Sequence, residues 1–398
     1  MGERVNSLFV FSFFSWRSWR LGGFVFLHVV FFTSSAAACS LCGAGLRQAP
    51  TFRQEAALDT ARIIIVGTAE NPKLNERTTD LRIAEVLRSD PALRNEKGQV
   101  NLIKVEQYLP VTDPKNPPRY LVFCDIYKGK FDPFRGVPLK SPDSLAYVRK
   151  VLKLDPKDQT NNLLFFFRYL DNPDPEISRD AFLEFAKATD QEIANVARRL
   201  DAAKLRTWLR ARETPAERLS VYALLLGACG TDEDARFLKS MLDEANERTV
   251  NSYDGFLAGY IHLRPREGWE LAQSLLRDSR KPMLIRLAVA RTVSFFHGAQ
   301  PRESAENVLK CLDAMISQGE LADIAIEDMR RWSIRTRTRD ILGLYGKKGF
   351  DAPLMRRTIV RYALSCKDDP AAHSFVEERR REDAELVKGV EEELRFEK

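Results

Sequence analysis

"PEISRDAFLEFAKA", residues 175–188, decides how the larger part of this chain folds. A proline suits the first turn of a helix, because the N–H it lacks is one no helix could bond. Arg179 follows four residues later, and then a run rich in alanine and apolar residues. The same opening recurs in "PMLIRLAVARTVSFF" from Pro282, with Arg286, and in "PLMRRTIVRYALSC" from Pro353, with Arg357. A fourth copy, "PAERLSVYALLLGACG", has Arg218 three residues after Pro215. Successive prolines stand 40, 67 and 71 residues apart, which approximates one, two and two units of roughly 35–40 residues, the range of helical-pair repeats. From about residue 160 onward the pattern is helical almost throughout. We therefore expect an all-α solenoid over residues 158–398, in which stacked helix pairs bury a continuous core and leave an extended surface for a partner. The repeated arginines Arg179, Arg218, Arg286 and Arg357 are expected to be structural, each bonding an acidic residue or a carbonyl of the neighbouring repeat. "HSFVEERRREDAELVKGVEEELRFEK", at the C-terminus, carries dense charge over a thin apolar stripe and reads as a polar capping helix.

Before residue 155 the chain has a different character. From 62 to 138, short β-branched and aromatic runs ("RIIIVGTA", "TTDLRIAEV", "NLIKVEQYLPV", "RYLVFCDIY") are separated by turn clusters. In the last run Tyr120, Val122, Cys124 and Ile126 share one face, while Leu121 and Phe123 share the other. Both faces are apolar, and closing the sheet is an economical way to bury both. The expected fold is thus a small antiparallel β-barrel, OB-like, over residues 39–157. "SPDSLAYVRKVLKL", residues 141–154, has an N-cap serine and helical apolar spacing, and is expected to finish this domain as a helix. "KGKFDPFRGVP", residues 128–138, reads as a loop whose two aromatics pack the barrel against the first repeat.

The N-terminus carries an address. Arg17 and Arg20 precede "LGGFVFLHVVFF", too short to span a bilayer, and "TSSAAA" follows with the small residues that signal peptidases accept. Residues 1–38 are therefore expected to be a signal peptide and the protein to be extracytoplasmic, periplasmic or at the cell surface. Cleavage after Ala38 leaves Cys39 first. Two outcomes stay open: a lipid anchor on Cys39, although Ala36 stands where a lipobox usually has Leu, Val or Ile, or a soluble exported protein with a disulfide. Cys39 and Cys42 form a C-x-x-C pair with nothing folded before it. A thioredoxin-like use needs that motif at a helix start after a strand, and haem attachment needs histidine where residue 43 is glycine. A structural zinc needs two further ligands, and the next cysteine is Cys124. A structural disulfide within the pair, or from it to Cys124, suits an oxidising compartment.

The 62 basic and 56 acidic residues fall to 59 and 55 once Arg4, Arg17, Arg20 and Glu3 leave with residues 1–38, a net charge of +4. That balance does not argue for nucleic acid as a partner. Enzyme signatures are scarce: His262, His297 and His373 lie far apart, and no G-x-S-x-G, H-E-x-x-H or phosphate-cradling glycine loop occurs. No cofactor or metal is implied. Arg330, Arg331, Trp332, Arg335, Arg337 and Arg339 could form an anion or partner patch. The alternative is a solvated face on which arginines pair with carboxylates such as Glu327 and Asp328 at helical spacing.

"CSLC", "TFRQEAALDTARIIIVGTA", "YLVFCDIYKGKFDPFRGVPL", "AFLEFAKA", "AIEDMRRW" and "IVRYALSC" together resemble a group of uncharacterised exported bacterial proteins, of the kind found in planctomycetes. The resemblance covers most of the mature chain and implies HEAT-like repeats in the C-terminal half, without an activity. An N-terminal cysteine cluster running into a barrel with "IVGTA" and "YLVF" strands is distantly similar to the netrin-like module and the tissue inhibitors of metalloproteases. Those inhibitors open on C-x-C, where this chain has C-x-x-C. The reading that follows is a non-enzymatic exported binding or scaffolding protein that presents its helical repeats to a protein or cell-envelope partner. The alternatives are a thiol–disulfide protein using Cys39 and Cys42, and a protease inhibitor acting through a free N-terminal Cys39.

Overall fold

A computed structural model describes residues 49–95 and 98–397. The expected signal peptide 1–38 and the pair Cys39 and Cys42 lie outside the described residues. The chain divides into two compact units, the first ending at Phe185 and the second starting at Ala186.

The first unit is built on a five-stranded antiparallel sheet of order β5-β2-β1-β6-β7. Its strands are β1 (Ile63–Lys73), β2 (Thr78–Arg88), β5 (Leu102–Val105), β6 (Arg119–Tyr127) and β7 (Lys130–Pro138), with a two-residue hairpin of β3 (Arg94–Asn95) and β4 (Gly98–Gln99) beside it. Alternation along the strands makes two apolar faces. Ile63, Ile65, Leu81, Ile103, Val122 and Cys124 belong to one; Ile64, Val66, Leu121 and Phe123 point the other way and are solvent-free. Both faces of β6 are therefore buried, as its sequence requires.

The closed barrel expected from that double burial does not form: β5 and β7 remain the two edges. The inner face is covered instead by the chain between β2 and β6, which folds Leu93, Val100, Leu109 and Val111 over it. β7 is also the segment read as a loop at 128–138. Pro133 and Pro138 have no N–H to give a further strand, which suits an edge position, and Phe131 and Phe134 are strand residues that pack on the sheet.

Among the described residues, four α-helices accompany the sheet in this unit: α1 (Phe52–Ala57), α2 (Pro142–Val151), α3 (Gln159–Phe167) and α4 (Pro175–Lys187), whose last turn crosses the unit boundary. Ser141 caps α2 through a reciprocal pair of bonds with Ser144, and Asp174 accepts from both hydroxyls, at 2.7 Å from Ser141 and 2.5 Å from Ser144.

Among the described residues the second unit is helical: α5 (Asp190–Ala197), α6 (Ala202–Arg210), α7 (Ala216–Cys229), α8 (Asp232–Asp243), α9 (Tyr253–Leu263), α10 (Pro265–Arg277), α11 (Met283–Ala299), α12 (Ala305–Gln318), α13 (Ala322–Arg331), α14 (Thr338–Leu342), α15 (Pro353–Ser365), α16 (Pro370–Glu382) and α17 (Ala384–Phe396). Helices two apart in sequence pack side by side: α7 with α9, α9 with α11, α10 with α12, α13 with α15, and α15 with α17. Glycine lets α7 and α9 touch backbone to backbone. A Cβ on Gly227 would lie 2.3 Å from the Cα of Gly259, and one on Gly255 would lie 2.3 Å from the Cα of Ser220. The charged C-terminal segment is two helices, divided where Asp383 caps α17. No helix among the described residues is long and apolar enough to cross a membrane.

Candidate functional site

The open sheet encloses space. A cavity of about 750 Å³ lies on its inner face, walled by Leu81, Val105, Tyr120, Val122 and Pro133 and covered by Tyr108 and Leu109. Register explains the gap. Val122 pairs with Gly136 across the β6–β7 ladder, and a Cβ built on Gly136 would meet nothing within 4 Å. A strand position that would fill a barrel interior carries no side chain.

The rim is charged. Thr79 opposite Val105, and Tyr120 opposite Pro138, put the ends of β5 and β7 at the same end of the sheet. Glu106 follows the first and Lys140 the second, and both line the cavity together with Glu176 and Arg179 from the opening turns of α4. A smaller cavity, of about 250 Å³, adjoins it and shares Arg135, Gly136, Pro138, Glu176 and Arg179; it also touches Glu55 and Asp180.

Behind the smaller cavity stands a buried polar cluster that fixes α1. Asp180 accepts from the Phe52 backbone N–H at one oxygen and from the Tyr147 hydroxyl at the other, both at 2.7 Å. Arg53 donates to both oxygens of Glu184, at 3.3 and 2.6 Å, and Arg135 donates to Glu55 at 2.7 Å. Burial raises the Asp180 carboxyl to about 7, against the two hydrogen bonds that favour its ionised form. The Tyr147 phenol is pushed well above its ordinary value, first by burial and then by Asp180. Both Asp180 oxygens are already engaged, so the cluster holds α1 in place rather than offering a free acid.

Of the residues nominated by sequence, Cys124 is a free thiol in the sheet core, raised to about 12 by burial. No disulfide joins it to another described cysteine. Arg286 is 1% exposed and donates to Glu320, 34 residues on; Arg357 donates to Glu393, 36 residues on. Arg218 is half-buried. Arg179 departs from this set: it has no ion-pair partner among the described residues, is exposed, and lines both cavities.

Most residues of the arginine patch are individually held. Arg330 donates to Glu327 and Glu397, and Arg331 to Glu327. Arg335 donates to the Ser365 carbonyl and lies over the Tyr362 ring, while Arg337 makes two bonds to Asp313. Trp332 stacks on His297 with ring centroids 3.9 Å apart, and Arg339 is exposed on α14. His262 packs against Phe295 and Phe296, and burial lowers it to about 4. Among the described residues, no three of His, Cys, Asp and Glu are grouped to hold a metal.

Sequence reasoning missed Gly136, Arg135 and Asp180. The signal for the first two was present in the alternation of "KFDPFRGVP", which reads as a strand once its prolines are allowed an edge. Comparison with protein-family models, with curated proteins and with solved structures returned no match.

Proposed function

We propose that the chain is a non-enzymatic exported binding or scaffolding protein, whose second unit is an α-solenoid of HEAT-like helical pairs presented to a protein or cell-envelope partner. One observation carries this reading. Polar bonds between the helices of the second unit recur at a near-constant sequence distance: Ser220 to Asp254 at 34 residues, Arg291 to Asp254 at 37, Ser294 to Asp328 at 34, Ser252 to the Ala216 carbonyl at 36, and Arg248 to the Ala211 carbonyl at 37. Arg286 with Glu320 and Arg357 with Glu393 follow the same interval, and Arg330 with Glu397, at 67, is close to two intervals. The interval is shorter elsewhere: Arg206 reaches Asp234 at 28, Arg264 reaches Asp232 at 32 and Arg361 reaches Glu393 at 32, and around the brief α14 Arg337 reaches Asp313 at 24 and Tyr362 reaches the Ile334 carbonyl at 28. A repeat of this length stacks one-dimensionally, and its long surface is the part such arrays use for binding.

The partner edge is marked by apolar side chains left in solvent on the first turns of two helices that open with the same motif. Leu284 on α11 is 56% exposed and Leu354 on α15 is 64% exposed. Each follows the motif's proline, and the two stand about two repeats apart. The test is co-sedimentation with isolated cell envelopes. Wild type is expected to sediment, and the double variant Leu284→Asp, Leu354→Asp to remain in the supernatant with an unchanged helical circular-dichroism spectrum. Equal sedimentation of the two proteins contradicts the reading.

A further inference from the structure

The cavity of the open sheet is a feature separate from the helical surface. Its volume of about 750 Å³ lies within the ~300–1,000 Å³ of small-molecule sites. Its walls are aliphatic and aromatic, and its rim at the strand ends is charged. Two features argue that it is more than a packing flaw. Gly136 leaves open the space that a side chain at that position would enter. Arg179, moreover, is free of the inter-helix pairing that holds Arg286 and Arg357 at the same position of the repeated motif.

The charge pattern of the rim selects the ligand. Arg135 also lines the cavity but is paired with Glu55; of the other charged lining residues, Lys140 and Arg179 supply two cations, Glu106 and Glu176 supply two carboxylates, and none of the four has an ion-pair partner among the described residues. A head group of one sign would meet two favourable and two unfavourable charges. A head group carrying both signs can satisfy both sets, and an apolar body completes the fit to the walls. We propose that the cavity binds a single-chain amphiphile with a zwitterionic head, the alkyl chain lying along Leu81, Val105 and Val122 and the head at the rim formed by Glu106, Lys140, Glu176 and Arg179.

The experiment is a calorimetric titration of the intact protein with three dodecyl amphiphiles, each below its critical micelle concentration: dodecylphosphocholine, dodecanoate and dodecyltrimethylammonium. The phosphocholine is expected to bind tightest, with affinity rising about 4-fold per added CH₂ between the octyl and dodecyl homologues, as burial of each methylene requires. Arg179→Glu is expected to move the preference toward the cationic amphiphile, and Glu176→Arg toward the anionic one, by about 10-fold each. Both sites are on the opening turns of α4 and reach solvent, so these variants report on the rim without emptying a core. Gly136→Phe fills the space and is expected to weaken all three ligands at least about 10-fold, the order of the affinity held by a few buried methylenes.

Absence of saturable binding below micelle formation overturns the proposal. So does a head-group preference unmoved by the two charge reversals, or tightest binding of dodecanoate or dodecyltrimethylammonium to wild type. None of these outcomes touches the helical surface, whose test uses substitutions in the other unit.

Discussion

Asp180 is the residue at which burial and hydrogen bonding oppose each other most openly. Its carboxyl stands at about 7, against an ordinary 3.8, so between those values the folded chain keeps a proton that the unfolded chain releases. The stabilisation is fully present below about 4 and is lost as pH rises through 7. Asp190 and Asp328, each raised to about 6 by burial, act in the same direction. Urea midpoints measured from pH 4.5 to 8 should therefore fall less steeply in Asp180→Asn than in wild type; identical slopes would show that Asp180 ionises normally. Arg286 supplies a second residue-scale expectation. It is buried, yet its Nε and Nη2 have no protein acceptor, and Glu320 is the partner of its remaining N–H group. Removing a carboxylate from a buried cation costs more than removing the cation. Glu320→Ala should lose about 2 kcal/mol, below the ~3–5 kcal/mol of a fully buried pair because Glu320 is half exposed, and Arg286→Met should lose less. The reverse order in denaturant melts would mean that the arginine is not dependent on its partner.

At the scale of elements, β7 and the α7–α9 pair show what was legible in the sequence and what was not. The faces of β6 followed directly from the alternation Tyr120, Val122, Cys124 against Leu121, Phe123, because period-two patterning and burial are the same fact. Closure did not follow. Covering the inner face needs only apolar atoms, and Leu93, Val100, Leu109 and Val111 supply them from outside the sheet. The short helix-opening motifs were legible because proline at a first turn and an N-cap at Ser141 are local signals. The cavity was not, since it depends on which residue the β6–β7 register sets opposite Val122. The contact of α7 with α9 is a further non-local feature, with Gly227 and Gly259 placed on each other only in three dimensions. Gly227→Ala gains roughly 1 kcal/mol in helix propensity yet forces the helices apart. The expected net effect is a loss of roughly 1–3 kcal/mol, read from chemical denaturation of the full chain. A stabilised variant would mean that the two backbones do not approach this closely.

The whole molecule joins a sheet unit that holds a cavity to a helical unit with a repeating interval of polar bonds. In a stacked array each pair leans on its neighbours, so protection from amide hydrogen exchange should be highest in α7, α9 and α11 and lowest in α17, which has a neighbour on one side only. Uniform protection across the second unit would indicate one closed globule instead. The proposed repeat rests on the spacing of Pro175, Pro215, Pro282 and Pro353 together with the intervals in the bonds of Asp254, Asp328 and Glu320, and helix starts were legible at Pro175 and Pro353, which open helices. The partner was not, because a surface names its ligand only through contacts made outside this chain. The most direct measurement of the binding reading is photo-crosslinking in intact producing cells, with a photoreactive residue at position 354 and a control at Lys239 on α8. The account expects one discrete adduct from position 354 and none from 239. No adduct from either, or the same ladder from both, would contradict it.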